Sequence, residues 1–349
     1  MTEAVFAIPG DHTQRTGGYI YEATVLGELN ALGCATELLS LPGSFPDPTS
    51  EDMVATLEAL SRVPANQVII LDGFLVGSLD PEQAHSIKAP MLGVVHHPLG
   101  LETGLAPERA AFLRANEAAM LCNISHVMVP SPHTAKVLSD EFGVRRERIT
   151  IALPGVNMPM GPQHPLSPPL LLSVGLLAPR KGHDVLLNAL HQLTDLPWQA
   201  EIVGKSHDPA YESQLLGLRS DLGLEDRVKF LGEIKEGDLS KSFRAASVFC
   251  LASHYEGYGM VLSEAIMHGL PIVSCRAGAI PDTVGDAGLL ATPGDASEFA
   301  TLLRRLLTDG AVADRLRLAA IHQAKSLPKW SDTAKYFADC LRRIAAQNR

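Results

Sequence analysis

Two glutamates and two glycines stand close together in the stretch HYEGYGMVLSEAIMHGLP, residues 254–271. The apolar run before it predicts a strand, and an apolar helix pattern starts near Gly259. A helix start presents backbone N–H groups and the positive end of the helix dipole, and glycine lets the backbone come close to an anion. The stretch therefore predicts an anion site suited to a diphosphate.

The two glutamates of this stretch occupy different positions. Glu256 lies on the loop before the helix, and Glu264 lies about one turn inside it. This placement differs from the facing acid and base of a glycosidase. We therefore expect each glutamate to meet a different part of one long ligand.

The elements that would position this site alternate along the chain. In the first half, the pattern predicts strands at residues 4–10, 35–41, 66–73, 89–98, 125–131 and 148–155, and helices at 17–33, 108–123 and 131–143. In the second half, it predicts strands at 170–175, 198–204, 227–232, 247–253 and 271–275, and helices at 182–193, 210–223, 260–269, 296–310 and 331–347. Such alternation indicates parallel βαβ units with helices on both faces of the sheet.

A Pro-rich segment divides these two halves. Residues 157–169 contain five prolines and one glycine in thirteen positions, a composition typical of a linker. We therefore predict an α/β fold class with a first domain at residues 1–156, a linker at 157–169 and a second domain at 170–330. Two Rossmann-like, doubly wound domains that face each other across a cleft would bind a ligand at the carboxyl ends of their strands.

The composition excludes several classes of protein. The 349 residues carry a formal net charge of −10, which disfavours binding to nucleic acid and constant binding to anionic lipid. The five cysteines form no C-x-x-C pair, which argues against a disulfide framework or a zinc site and favours a reducing compartment. No signal-peptide pattern and no apolar run of the ~20 residues that a membrane span needs is visible. We expect a cytoplasmic protein without a transmembrane segment, and loose association with a membrane stays open.

Several motifs occur together in a characteristic order. They are GDHTQRTGGYIYEATVLGELNALG at residues 10–33, SVGLLAPRKGHDVLLNAL at 173–190, EGYGMVLSEAIMHGLPIV at 256–273 and GAIPDTVGDAGLL at 278–290. Together they resemble the retaining glycosyltransferases of family four, which have the GT-B fold and an E-x7-E motif. In that fold the last helix crosses back to the first domain, so we expect residues 331–349 to pack there.

The resemblance implies roles for residues of the second half. Glu264 would accept hydrogen bonds from the ribose hydroxyls of a nucleotide sugar, and Glu256 would bind hydroxyls of the transferred sugar. Lys181, helped by Arg180, would neutralise the diphosphate. The substrate would also meet the backbone of four neighbouring residues, namely Tyr258, Gly259, Met260 and Val261.

The resemblance implies further roles in the first half. Gly17 and Gly18 would shape a loop that closes over the phosphates. His97 would act at the reacting centre, near the anomeric carbon, with His96 as the less favoured candidate. A purely structural role for the two histidines is left open, whereas a metal pair at this position lacks a third ligand at suitable spacing.

One position departs from the family pattern. Leu176 stands where the family usually has an arginine that contacts the diphosphate. Arg180 could reach the same oxygens, or the loss could weaken the stabilisation of the leaving group.

The resulting hypothesis is a transferase that retains the anomeric configuration, as the resemblance implies, and that is independent of metal ions, because the sequence contains no D-x-D motif. No cofactor is expected. The transferase would move a hexose from a UDP- or GDP-linked donor to an unidentified acceptor. The alternatives are a sugar-nucleotide epimerase or hydrolase of the same fold, and a non-catalytic binder of nucleotide sugars. An NAD-dependent oxidoreductase is disfavoured, because the first loop lacks the G-x-G-x-x-G pattern.

Overall fold

The computed structural model describes residues 3–159, 161–206 and 208–347. These residues form two compact units, one reaching up to Gly155 and resuming at Pro328, the other comprising Val156–Leu327. Each unit contains one parallel six-stranded sheet with helices around it. The α/β, doubly wound class predicted from the alternation of apolar runs is confirmed.

The first unit is built on six strands in the order β2-β1-β3-β4-β5-β6. The strands are β1 (Ala4–Pro9), β2 (Thr36–Leu41), β3 (Val68–Leu71), β4 (Met91–Val94), β5 (His126–Val129) and β6 (Ile149–Ile151). The helices are α1 (Gly17–Ala31), α2 (Ser50–Ser61), α3 (Gly73–Ser78), α4 (Pro81–Ala84), α5 (Pro107–Asn123) and α6 (Pro132–Glu141). Every residue of β1, β3, β4 and β5 is buried, as expected for parallel strands covered on both faces.

The second unit repeats this design with the strand order β12-β11-β10-β7-β8-β9. The strands are β7 (Leu170–Val174), β8 (Gln199–Val203), β9 (Val228–Gly232), β10 (Val248–Leu251), β11 (Ile272–Cys275) and β12 (Gly288–Ala291). The helices are α7 (His183–His191), α8 (Pro209–Asp221), α9 (Glu236–Ala245), α10 (Met260–Met267), α11 (Ile280–Val284), α12 (Ala296–Thr308) and α13 (Gly310–Ala324). Strands β7, β10 and β11 lie next to one another and are fully buried, so they form the centre of the core.

The last helix, α14 (Trp330–Gln347), belongs to the first unit and packs against α1. The buried ring of Tyr21 meets the ring of Trp330 edge-on, with 5.7 Å between their centroids. Thr333 donates a hydrogen bond to the carbonyl of Leu153 over 2.7 Å. Gly155 fits closely beside this helix, because a Cβ at that position would lie 2.2 Å from the backbone nitrogen of Trp330. Aromatic packing and close backbone approach thus hold the helix to this unit.

The Pro-rich segment predicted to be a linker is attached to the second unit over part of its length. The N–H of His164 donates to the carbonyl of Arg244 over 2.8 Å, and that of Leu166 donates to Ala245 over 3.0 Å. The side chain of Gln163 donates to the carbonyl of His268 over 2.8 Å. Met160, inside the predicted linker, lies outside the described residues.

Seven of these helices and strands were not predicted from the sequence. They are α2, α3, α4, α9, α11, α13 and β12. Among the described residues, no helix has both the length and the apolar character required to cross a membrane.

Candidate functional site

The predicted anion site lies on the loop between β10 and α10 in the second unit. Helix α10 begins at Met260, directly after Gly259, and no side-chain hydrogen bond caps this start. Gly259 adopts a left-handed conformation with φ of 82°, and a Cβ there would lie 2.7 Å from Cδ1 of Leu262. A residue other than glycine would therefore be strained at this turn. The sequence thus forms an abrupt strand-to-helix turn that presents the amino end of the helix.

Glu256, on the same loop, is buried and paired with two cations. Its Oε1 atom lies 2.6 Å from Nζ of Lys181, and its Oε2 atom lies 3.5 Å from Nη1 of Arg180. The hydroxyl of Ser253 also donates to Oε1 over 2.7 Å. Two cations against one carboxylate leave a net positive charge on this cluster, which we call the Glu256 cluster (Arg180, Lys181 and Glu256).

The protonation state of Glu256 reflects these neighbours. Burial acts to raise the pKa of its carboxyl group, but the charges of Lys181 and Arg180 and the hydrogen bonds from Lys181 and Ser253 lower it more strongly. The pKa therefore lies below its ordinary value, and Glu256 is ionised at neutral pH.

The cations come from the loop that follows β7. A short 3₁₀ turn, Pro179–Lys181, ends at Gly182, which has a positive φ of 62°. A Cβ on Gly182 would lie 2.1 Å from the carbonyl oxygen of Ala252, so this loop packs directly on the end of β10. Arg180 also donates from Nη1 to the carbonyl of Tyr255 over 2.8 Å. The two loops are therefore joined through both backbone and side chains.

His183 supports this loop and was not identified from the sequence. Its side chain is buried, and Nε2 lies 3.0 Å from the carbonyl oxygen of Leu176. Burial lowers the pKa of His183 to about 4, so the neutral ring donates to that carbonyl. This hydrogen bond fixes the backbone of Leu176, the residue that departs from the family pattern. A histidine directly after the Lys-Gly pair was the only signal in the sequence.

The other predicted residues of this unit lie on the loop and on α10. The side chain of Tyr258 is buried, and its hydroxyl lies 2.8 Å from that of Ser263. Val261 packs against the core of the unit. Glu264 lies within α10 and is half-buried. The side chain of Tyr258 is therefore enclosed within the unit, whereas that of Val261 is partly exposed.

The predicted residues of the first unit form a second group. Gly17 and Gly18 begin α1, and the two histidines follow β4. The structure brings Gly18 and His96 together, because a Cβ on Gly18 would lie 3.5 Å from Cδ2 of the ring. Nε2 of His96 lies 3.2 Å from Oε1 of Glu22, a fully buried carboxyl group that was not identified from the sequence.

His97 lies in a separate environment within the same loop. Its Nε2 atom is 3.9 Å from Oε2 of Glu102, and both ring nitrogens are buried. The backbone that follows is held by Glu117, which accepts a hydrogen bond from the N–H of Leu99 over 2.9 Å. Glu117 is fully buried on α5, and burial raises its pKa to about 8.

No group of three or more histidine, cysteine, aspartate or glutamate side chains in the described ranges is arranged to hold a metal ion. The second unit brings fixed cations and a helix start together, an arrangement that stabilises anionic oxygens.

The chain resembles known glycosyltransferases in sequence and in fold. Residues 160–325 match the family model Glycosyl transferases group 1, which confirms over this stretch the resemblance to glycosyltransferases drawn from the sequence motifs. The D-inositol 3-phosphate glycosyltransferase of Thermobifida fusca is 29% identical over 256 residues, which are 67% of this chain and 58% of that protein. The chain thus spans little more than half the length of this relative.

Solved structures resemble the chain over nearly its whole length. Sucrose-phosphate synthase from Thermosynechococcus elongatus has a TM-score of 0.79 at 22% identity, with 99% of this chain and 100% of that chain covered. Anabaena Alr3699/HepE, solved with UDP and glucose, has a TM-score of 0.74 at 18% identity, with 98% and 100% covered. These likenesses concern the fold, and they confirm the predicted GT-B class.

Proposed function

We propose that this chain, whose residues 160–325 form a Glycosyl transferases group 1 domain, is a retaining glycosyltransferase that takes a hexose from a nucleotide-diphosphate sugar. The observation that supports this proposal is the Glu256 cluster beside the uncapped start of α10, inside the matched domain. A diphosphate leaving group gains negative charge as the glycosidic bond breaks. Fixed cations and a helix amino end stabilise that charge in the transition state.

The donor is proposed to bind in the second unit. Glu264 would accept hydrogen bonds from the ribose, and Glu256 would hold hydroxyls of the sugar while it orients Lys181 and Arg180. The backbone from Tyr258 to Val261 would face the diphosphate and the sugar. Because Anabaena Alr3699/HepE was solved with UDP and glucose, UDP-linked hexoses are the first donors to test, followed by GDP-linked ones.

The first unit is proposed to bind the acceptor, with His97 as the group that contacts the transferred sugar and His96 beside it. Gly17 and Gly18, at the start of α1, are proposed to keep the role that the resemblance implies for them. Retention and independence from metal ions are further parts of the proposal. With no residue assigned as a nucleophile, the leaving phosphate would itself accept the proton of the attacking hydroxyl.

A transfer assay tests the proposal. The full chain is incubated with UDP- and GDP-hexoses and with hydroxyl-bearing acceptors. The first acceptor is D-inositol 3-phosphate, because it appears in the name of the Thermobifida relative. We expect release of nucleoside diphosphate that depends on the acceptor, and a product whose anomeric configuration, measured by NMR, equals that of the donor. An inverted product would overturn the retaining mechanism. Interconversion of the donor sugar without transfer would favour an epimerase instead.

A further inference from the structure

Glu22 is fully buried on α1, yet it contacts a side chain that the family resemblance assigns to the substrate. Its Oε1 atom lies 3.2 Å from Nε2 of His96. Gly18, one turn earlier, brings the backbone of α1 against the same ring. The ring of Tyr21 meets the His96 ring edge-on, with 5.0 Å between centroids. Three positions of one helix therefore fix the His96 ring.

A second buried carboxyl group, that of Asp72, is hydrogen-bonded to Glu22. Asp72 follows β3 and accepts a hydrogen bond from the N–H of Phe74 over 2.7 Å, which caps α3. Burial raises the pKa of Glu22 to about 8, although a hydrogen bond with Asp72 lowers it. Burial and the nearby charge of Glu22 raise the pKa of Asp72 well above its ordinary range. Glu22 therefore retains its proton at neutral pH.

The other titratable groups around this pair stay neutral. Burial and the nearby Asp72 and Glu22 carboxyl groups raise the pKa of Tyr19 to about 12. Burial also raises the pKa of Tyr21. Burial lowers the pKa of His96 to about 4, against the attraction of Asp72, so at neutral pH the ring carries a single hydrogen. Glu22 is the group of this set whose pKa lies near 8.

We propose that Glu22 is a positioning residue that selects which ring nitrogen of His96 carries the hydrogen. The proposal rests on the transferase function stated above, in which His96 lies beside the residue proposed to contact the transferred sugar. While Glu22 is protonated, its hydroxyl donates to Nε2, and the ring hydrogen resides on Nδ1. When Glu22 ionises, Nε2–H must donate to the carboxylate, and Nδ1 becomes an acceptor. One proton passes from Glu22 to solvent, and the ring hydrogen moves from Nδ1 to Nε2.

The ring nitrogens of His96 report this change directly. We would record ¹⁵N spectra of histidine-labelled full-length chain between about pH 6 and pH 10, with His96 assigned by the loss of its signals in His96→Asn. We expect the shifts of Nδ1 and Nε2 to exchange with a midpoint near the pKa of Glu22, about 8. In Glu22→Gln, the amide donates to Nε2 at every pH, so the exchange should be absent.

Glu117→Gln is the matched control. Glu117 is also a buried carboxyl group of the first unit with a pKa near 8, but its hydrogen bond goes to the backbone of Leu99. The exchange should persist in that variant. A wild-type ring whose tautomer does not change with pH would overturn the proposal, even if Glu22→Gln fails to fold. So would an exchange that survives in Glu22→Gln.

Kinetics then test the role in transfer. We expect the wild-type kcat to change about tenfold or more with the same midpoint, and the change to vanish in Glu22→Gln while the KM for the donor is kept. A tautomer exchange without any change in kcat would refute the positioning role. A chain that turns over no nucleotide sugar would count against the proposed function. The spectra need no substrate, so the tautomer of His96 would still decide the proposal about Glu22.

Discussion

The Nζ atom of Lys181 lies 2.6 Å from Oε1 of Glu256, 75 positions further along the chain. From the sequence, Lys181 was assigned to the diphosphate and Glu256 to the sugar. The contact links these two assignments, because the carboxylate that would hold the sugar also fixes the cation that would hold the phosphate. A substitution of either residue should therefore change the position and the charge environment of the other.

Lys181→Met should destabilise the chain by about 2 to 4 kcal/mol, because it leaves Glu256 buried with only Arg180 as a cationic partner. Adding Glu256→Gln should recover part of this loss, since it removes the buried carboxylate and leaves only the partly exposed charge of Arg180. Urea unfolding of the two single variants and the double variant measures the coupling. The control is Lys241→Met, which breaks an exposed pair with Asp238 at 2.7 Å and should change stability little. Equal losses in the two lysine variants would contradict the burial argument.

Glu117→Gln should flatten the dependence of stability on pH. The folded chain keeps the proton of Glu117 up to a pKa of about 8, whereas the unfolded chain loses it near ~4.3. Between these values the unfolded state binds fewer protons, so the free energy of unfolding falls as pH rises, by up to about 1.4 kcal/mol per pH unit. The glutamine still accepts from Leu99 but cannot ionise.

Urea unfolding of wild type and Glu117→Gln between about pH 5 and pH 8 checks this expectation. Their difference should grow with pH in favour of the variant. Glu108→Gln, at the exposed start of the same helix, is the matched control. Parallel curves for wild type and Glu117→Gln would show that this carboxyl group is ionised in the folded state.

Local signals were sufficient to predict the turn between β10 and α10. An apolar run, the glycines and an apolar helix pattern follow one another directly in the sequence. The structure starts α10 at Met260, one residue after the glycine from which the pattern was read. By contrast, α2 escaped prediction because its buried residues are only Thr56, Leu57 and Leu60, too short a stripe to stand out.

Contacts between distant positions could not be predicted in the same way. Glu22 and His96 are 74 positions apart, and they meet because β1 and β3 are neighbours in the sheet and β4 follows. The sequence pattern predicts the strands, but it does not predict which side chain of α1 faces the end of β4. The resemblance could name His96 as a site residue and gave no reason to examine the glutamate beside it.

Glu264→Ala should weaken the binding of nucleoside diphosphate by about 1 to 3 kcal/mol while the fold is retained, because the ribose would lose charge-assisted hydrogen bonds. Calorimetry with UDP and GDP on the full chain measures the change. Glu225→Ala, an exposed glutamate of the same unit, is the control for a mere change in net charge. Unchanged affinity in Glu264→Ala would rule out the ribose assignment.

Transfer activity should survive treatment with EDTA. The proposed phosphate contacts come from Lys181, Arg180 and the start of α10, and the described residues contain no group of three metal-binding side chains. Initial rates with and without chelator, and after addition of magnesium or manganese, provide the measurement. Loss of turnover on chelation, restored by manganese, would mean that a metal ion neutralises the diphosphate.

The last prediction concerns Leu176, where the family usually has an arginine. Arg180 is only 25% exposed, and its guanidinium lies between the carbonyl of Tyr255 and the carboxylate of Glu256, so the structure keeps it near the proposed diphosphate site. If Arg180 performs the task of the missing arginine, it acts mainly when charge grows on the leaving phosphate. Arg180→Ala should then lower kcat by ~10² to 10³ and change the dissociation constant of the donor much less.

Because Arg180 also joins two loops, its loss could act through the fold alone. Arg180→Lys controls for this, since it retains the charge without the fork that reaches both Tyr255 and Glu256. Adding Leu176→Arg to Arg180→Ala should restore part of kcat, because the new guanidinium would supply a cation from the family position. Steady-state kinetics and donor calorimetry on the wild type and these three variants separate these effects. Wild-type turnover in Arg180→Ala would show that Lys181 and the start of α10 suffice. Equal losses in kcat and donor affinity would show that Arg180 serves ground-state binding rather than the transition state.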